Sequence, residues 1–126
     1  MKVLIAEKNN KFRELLVQRL NESGLEVYGS GDLIESEEII TQLGLKYVVL
    51  DISGFGRQSL EFMQNVLKRD SGIKFILITR KDNVPLSIEA MKLGAYDEIA
   101  VPVDIAILNK KLLAAAAKPG RSREVS

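Results

Sequence analysis

The run Tyr47-Val48-Val49-Leu50 stops at a single carboxylate, Asp51, and a turn carrying Gly54 and Gly56 follows at once. Four consecutive apolar residues, two of them β-branched, suit a strand with both faces covered, which is how strands of a parallel sheet read. Lys2–Ala6, Ile73–Thr79 and Glu98–Val101 are built the same way, and each leads into a polar residue or a proline. Such strands need helices on both sides. In an open sheet of that kind, ligands and chemistry collect at the carboxyl ends of the strands, where Asp51 falls.

The segments between the runs supply those helices. Asn9 or Asn10 is placed to cap a first helix with Phe12, Leu15, Leu16 and Leu20 at helical spacing, closed by Gly24. A short alternating strand, Leu25–Tyr28, follows. Asp32 caps a second helix with Leu33, Ile39, Ile40 and Leu43 inward and Gly44 as its stop, and Gln58–Arg69 forms a third around Phe62, Met63, Val66 and Leu67. Asn83 opens a fourth, with Pro85 tolerated in its first turn, Ile88, Met91 and Leu93 inward, and Gly94 at its end. Asp104 caps the last, which buries Ile105, Leu108, Leu112 and Ala115. This alternation predicts an α/β fold: a five-stranded parallel sheet with helices on both faces, in the common order 2-1-3-4-5. Glu7 and Asp51 then face each other across the switch point. Residues 1–117 are read as one domain and 118–126 as a tail or the start of a linker.

Composition narrows the chemistry. The chain has no cysteine and no histidine, which removes thiolate and imidazole catalysis and the usual zinc ligands. A formal net charge of +1 gives no footprint for nucleic acid or an anionic membrane. No run approaches the roughly 18 apolar residues of a membrane span, and the N-terminal run is broken at Glu7 and Lys8, so a cytoplasmic protein is expected. Gly54 and Gly56 match neither a dinucleotide fingerprint nor a phosphate-binding loop; a turn needing positive φ accounts for them.

With an acid after strand one, Asp51 ending strand three, Thr79 ending strand four and Val101-Pro102 after strand five, the chain resembles a response-regulator receiver domain of the chemotaxis-regulator type. Gly94-Ala95 followed by Asp97, Ile99 and Pro102 adds to the likeness, which covers about residues 2 to 117. The resemblance implies phosphoryl transfer from a histidine kinase to Asp51, assisted by an acidic pair, Mg²⁺, a lysine and the Thr79 hydroxyl. It also implies a cis bond at Val101-Pro102.

The set is incomplete here. Glu7 matches the first acid, but Lys8 stands where the second, metal-ligating acid is expected, and Val101 stands where the lysine belongs. Glu98 replaces an aromatic switch residue, Arg80 replaces a small residue, and Ser53–Gly56 lacks the familiar Met-Pro pair. An ammonium held about 4 Å from a divalent cation costs roughly 8 kcal/mol at an effective dielectric of about 20. Millimolar binding of Mg²⁺ returns only about 4 kcal/mol. Glu7 and Asp51 are thus weak candidate metal ligands. Lys8 is expected to pair with one of them and lock the site.

Asp51 has two readings, a phospho-acceptor and a leftover loop-capping carboxylate. Thr79 is read first as a strand-end hydroxyl bonded to nearby backbone. The favoured function is a non-enzymatic, atypical receiver that regulates through protein contacts, with phosphorylation weak or lost and no cofactor. The alternatives are a working acceptor at Asp51 using Mg²⁺ and a flavodoxin-like domain for a small anion or cofactor. Expected partners are a histidine kinase or effector domain, and a second copy joined weakly and salt-sensitively through the face of helix four, strand five and helix five. Lys92, Tyr96, Asp97, Lys110 and Lys111 are the residues expected on that face.

Overall fold

The computed structural model describes residues 1–117, so the reading of 118–126 lies outside the described residues. The elements run β1 (Lys2–Ala6), α1 (Asn10–Glu22), β2 (Glu26–Ser30), α2 (Leu33–Leu43), β3 (Tyr47–Asp51), α3 (Ile52–Phe55), α4 (Gln58–Arg69), β4 (Lys74–Thr79), a 3₁₀ turn (Lys81–Asn83), α5 (Val84–Leu93), β5 (Asp97–Ala100) and α6 (Ile105–Ala117). All ladders are parallel and the order is β2-β1-β3-β4-β5. The single-turn helix α3 is the one helix that the sequence reading did not separate from its neighbours. In the numbering used from here, the expected helices four and five are α5 and α6.

The period-2 geometry of a strand sorts its side chains into two cores. Leu4, Ala6, Val48, Leu50, Phe75 and Leu77 join Ile40, Phe62, Met63, Val66, Leu86 and Ala90 on the α2/α4/α5 side. Val3, Ile5, Val49, Ile76, Ile78 and Ile99 join Leu16, Leu20, Leu108 and Leu112 on the α1/α6 side. Burying each such branched side chain contributes about 2 kcal/mol. Phe62 and Phe75 also meet edge-on at 5.9 Å between centroids.

Caps set the helix limits. Asn9 Oδ1 accepts from Phe12 N at 2.9 Å, Asp32 Oδ1 from Ile34 N at 2.6 Å, and Asp104 Oδ1 from Ile107 N at 3.1 Å. Gly44 and Gly94 end α2 and α5 at φ of 63° and 120°, where a Cβ would be strained. Three helical residues expected inward face water instead: Leu15, Leu43 and Ile88 are exposed. On α5 the buried positions are Leu86 and Ala90; Met91 and Leu93 pack partly buried against the same core, as expected, and of the three expected residues only Ile88 turns outward. Among the described residues no helix is long and apolar enough to cross a membrane.

Candidate functional site

The register carries Glu7 and Asp51 to one place. Ala6 lies opposite Leu50 in the β1–β3 ladder, so the next residues, Glu7 and Asp51, meet at the sheet's carboxyl edge. They sit on the floor of a cleft of about 460 Å³ lined also by Lys8, Asn9, Ser53, Gly54, Arg80, Asp82 and Asn83. Glu7 is only 1% exposed and Asp51 3%. Lys8, Arg80 and Asp82 are exposed and form the rim.

Each carboxylate is fixed by backbone around it. Asp51 Oδ1 accepts from Ser53 N at 3.1 Å and so starts α3. Glu7 Oε2 accepts from Asn9 N at 3.2 Å. The backbone of Glu7 is held twice more: its N–H donates to Ser30 O at 3.0 Å, and its carbonyl accepts from Arg13 Nη1 at 2.8 Å. Arg13 also donates through Nη2 to Asn10 Oδ1 at 2.7 Å. Its guanidinium lies over Gly31, where an added Cβ would stand 2.5 Å from Nη1, and its stem crosses Gly29, where an added Cβ would stand 3.2 Å from it. Gly54 leaves room in the same way. A Cβ there would meet Lys8 Cβ at 3.4 Å and the carboxylate oxygens of Asp51 and Glu7 at 3.6 Å.

Two buried carboxylates within hydrogen-bond reach cannot both ionise cheaply. Burial, then a hydrogen bond to Asp51, then its negative charge push the Glu7 carboxyl up to about 8, against the smaller opposing effect of the Asn9 and Lys8 backbone N–H groups. At neutral pH the pair therefore holds a proton on Glu7, shared toward Asp51. Glu7 Oε1 and Ser53 Oγ are buried and accept from no N–H or O–H of the described residues.

The expected lock by Lys8 is corrected. Lys8 is exposed and forms no ion pair with Glu7 or Asp51; its ammonium is free to reach water on a loop, and it acts on Glu7 through its backbone N–H. A proton does what that cation was expected to do. Glu7 and Asp51 are the two carboxylates on the cleft floor that could face a divalent cation, and no cluster of three His, Cys, Asp or Glu side chains forms among the described residues. Mg²⁺ prefers near-octahedral oxygen ligation, and here it would have to displace the proton on Glu7 with Lys8 standing in the adjacent position.

The β4–β5 half of the edge is different. Thr79 Oγ1 donates to Ile99 O at 3.5 Å, and the Thr79 carbonyl accepts from Val101 N at 3.1 Å. Val101 packs against the α1/α6 core, as do Phe12, Val103 and Ile105. The Val101-Pro102 bond is cis. Glu98 is half-buried on β5. Thr79, Glu98, Val101 and Pro102 do not line the cleft, whereas Asn9, Asp82 and Asn83 do. Asn9 and Asn83 had been read only as helix caps, and Asp82 was missed. The signal for Asp82 was its place on the loop after β4, next to the β3 loop at the switch point.

A parallel sheet of this order with buried carboxylates ending β1 and β3 defines a class, and the sequence agrees: residues 3–113 match the response regulator receiver domain. The chain belongs to that family, as the receiver domain of a two-component response regulator, and this sets aside the flavodoxin-like alternative. It is 28% identical over 122 residues to the uncharacterized transcriptional regulatory protein YkoG of Bacillus subtilis, covering 97% of this chain and 54% of that protein. It is 31% identical over 122 residues to the transcriptional regulatory protein FixJ of Azorhizobium caulinodans, covering 97% of this chain and 56% of FixJ. The chain thus spans about half the length of these relatives. A receiver domain protein from Clostridium thermocellum has the same fold, with a TM-score of 0.85 at 20% identity over 92% of this chain and 94% of that one.

Proposed function

We propose that this receiver domain regulates through protein contacts, as a non-enzymatic module in which phosphorylation of Asp51 is weak or lost. The observation that carries this reading is the burial of Glu7 and Asp51 side by side on the floor of the cleft, where burial and the mutual contact push the Glu7 carboxyl up, while the cations Lys8 and Arg80 stay on the rim. Moving a phosphoryl group from a phosphohistidine to an Asp51 oxygen forms an O–P bond as the N–P bond breaks, and charge builds on the equatorial oxygens. That charge needs fixed cations close by. Val101 has no charge or donor to offer and belongs to the core, and Lys8 is turned to solvent.

A second reading rests on one feature: Lys8 and Arg80 both line the cleft, and together they would serve a working acceptor as replacement cations. Incubation with acetyl phosphate and Mg²⁺, read by intact mass with Asp51→Asn as the blank, separates the two. No adduct is expected. Robust labelling at Asp51 would hand the case to the second reading.

The partners would be a kinase or effector domain, and a second copy through the α5–β5–α6 face. Val84 and Ile88 on α5 are exposed there, with Lys92 and Lys110 as exposed charges. Tyr96 drops out of the expected contact set because it is 2% exposed, and Asp97 and Lys111 already pair with each other at 2.9 Å. Sedimentation at low salt should show weak dimers that Ile88→Asp abolishes; a monomer at high concentration would remove the dimer from the proposal.

A further inference from the structure

Ile34 is 73% exposed, more than any other large apolar side chain among the described residues. Its position is fixed, since its backbone N–H is held by the Asp32 cap. It forms a ridge between two clefts. One, of about 260 Å³, lies between α2 and α4 and is lined by Leu33 and the Phe62 ring, with Glu37 and Glu61 at its sides. The other, of about 300 Å³, runs along α2 past Glu37 and Glu38 to Arg69. Among the described residues Arg69 is the only cation lining either cleft, and it is already paired with Glu37 at 3.3 Å. Glu38 and Glu61 are exposed and take part in no ion pair among the described residues.

The surface is therefore an apolar ridge and groove with uncompensated negative charge, on a chain whose net charge is +1. Neither an acidic segment nor an anionic lipid surface is complementary to it. We propose that the α2–α4 groove docks a basic amphipathic helix of a partner protein, whose apolar residues straddle Ile34 while Lys or Arg side chains reach Glu38 and Glu61. The groove shares no residue with the acidic cleft or with the α5 residues of the proposed dimer face, so this contact is independent of the chemistry at Asp51.

The test uses a short helical peptide of Leu and Lys with one apolar face, and its Leu/Glu counterpart, titrated into ¹⁵N-labelled protein. The Leu/Lys peptide should bind, with amide shifts concentrated on α2 and α4, and the Leu/Glu peptide should not. Ile34→Asp should weaken binding about tenfold or more, and Glu38→Lys with Glu61→Lys should weaken it and remove its salt dependence. Both sets of sites are exposed, and a melting temperature matching the parent confirms folding; Ile34→Ala gives a second, milder variant. Unchanged affinity in Ile34→Asp, or shifts confined to the α5–β5–α6 face, would overturn the proposal. So would self-association of the unmodified chain that Ile34→Asp removes, since the occupant would then be a second copy.

Discussion

The two halves of the sheet's carboxyl edge are built differently. On the β1–β3 half, Glu7 and Asp51 remain polar and buried, held by the Asn9 and Ser53 N–H groups and by the Arg13 contact to the Glu7 carbonyl. On the β4–β5 half, the Thr79 hydroxyl bonds backbone and Val101 extends the α1/α6 core. A phosphoryl site needs both halves, because the nucleophile comes from one and the charge that stabilises its product comes from the other. The contrast teaches what a neighbouring cation decides: two buried carboxylates with no cation paired to them favour keeping a proton.

The strongest way to break the contrast is to give the second half the charges that the proposed function says it lacks. Lys8→Asp with Val101→Lys should turn an undetectable acetyl phosphate reaction into Mg²⁺- and Asp51-dependent labelling, on the order of a hundredfold over background. Each single change should do little, because metal and lysine act on the same developing charge. A thermal melt must show first that Val101→Lys is folded. A folded double mutant without labelling would put the defect in Arg80, Glu98 or the Ser53–Gly56 loop.

The proton on Glu7 makes a smaller effect, in stability. Between the unfolded value near 4.5 and the folded value near 8, the native state binds more protons than the unfolded chain. Stability should therefore be fully present below about pH 4.5 as far as this group is concerned, and should fall as pH rises through about 8. Glu7→Gln keeps the shape, supplies a donor to Asp51 and cannot ionise, so urea midpoints at pH 5 and pH 8.5 should converge in that variant. Equal slopes in parent and variant would show that Glu7 does not carry the proton.

Arg13→Ala should cost about 1–2 kcal/mol by removing the charged donor to the Glu7 carbonyl. Gly31→Ala should reproduce part of that loss, since its Cβ would displace the guanidinium. Lys8→Ala should be nearly silent, within about 0.5 kcal/mol, as for an exposed side chain with no fixed partner. A loss comparable to that of Arg13→Ala would revive the ion-pair lock.

The fold was legible because strand and helix periods agree with burial almost everywhere, from the four apolar residues before Asp51 to the Asp32 and Asp104 caps. The meeting of Glu7 and Asp51 followed from strand order alone. Helix faces were harder to read at Leu15, Leu43 and Ile88, because a surface leucine or isoleucine has the same spacing as a core one. The charge state of the cleft was not legible. Sequence places Lys8 beside Glu7, but a lysine on a loop reaches water easily while these two strand-end carboxylates are almost wholly buried; only that burial decides between an ammonium and a proton.

The central claim is that proton, and a ¹³C NMR titration of the Glu7 side-chain carboxyl reads it directly. The account predicts a midpoint near 8 that falls in Asp51→Asn, where the negative neighbour is gone. A Glu7 midpoint in the ordinary carboxylate range, unmoved by Asp51→Asn, would contradict it.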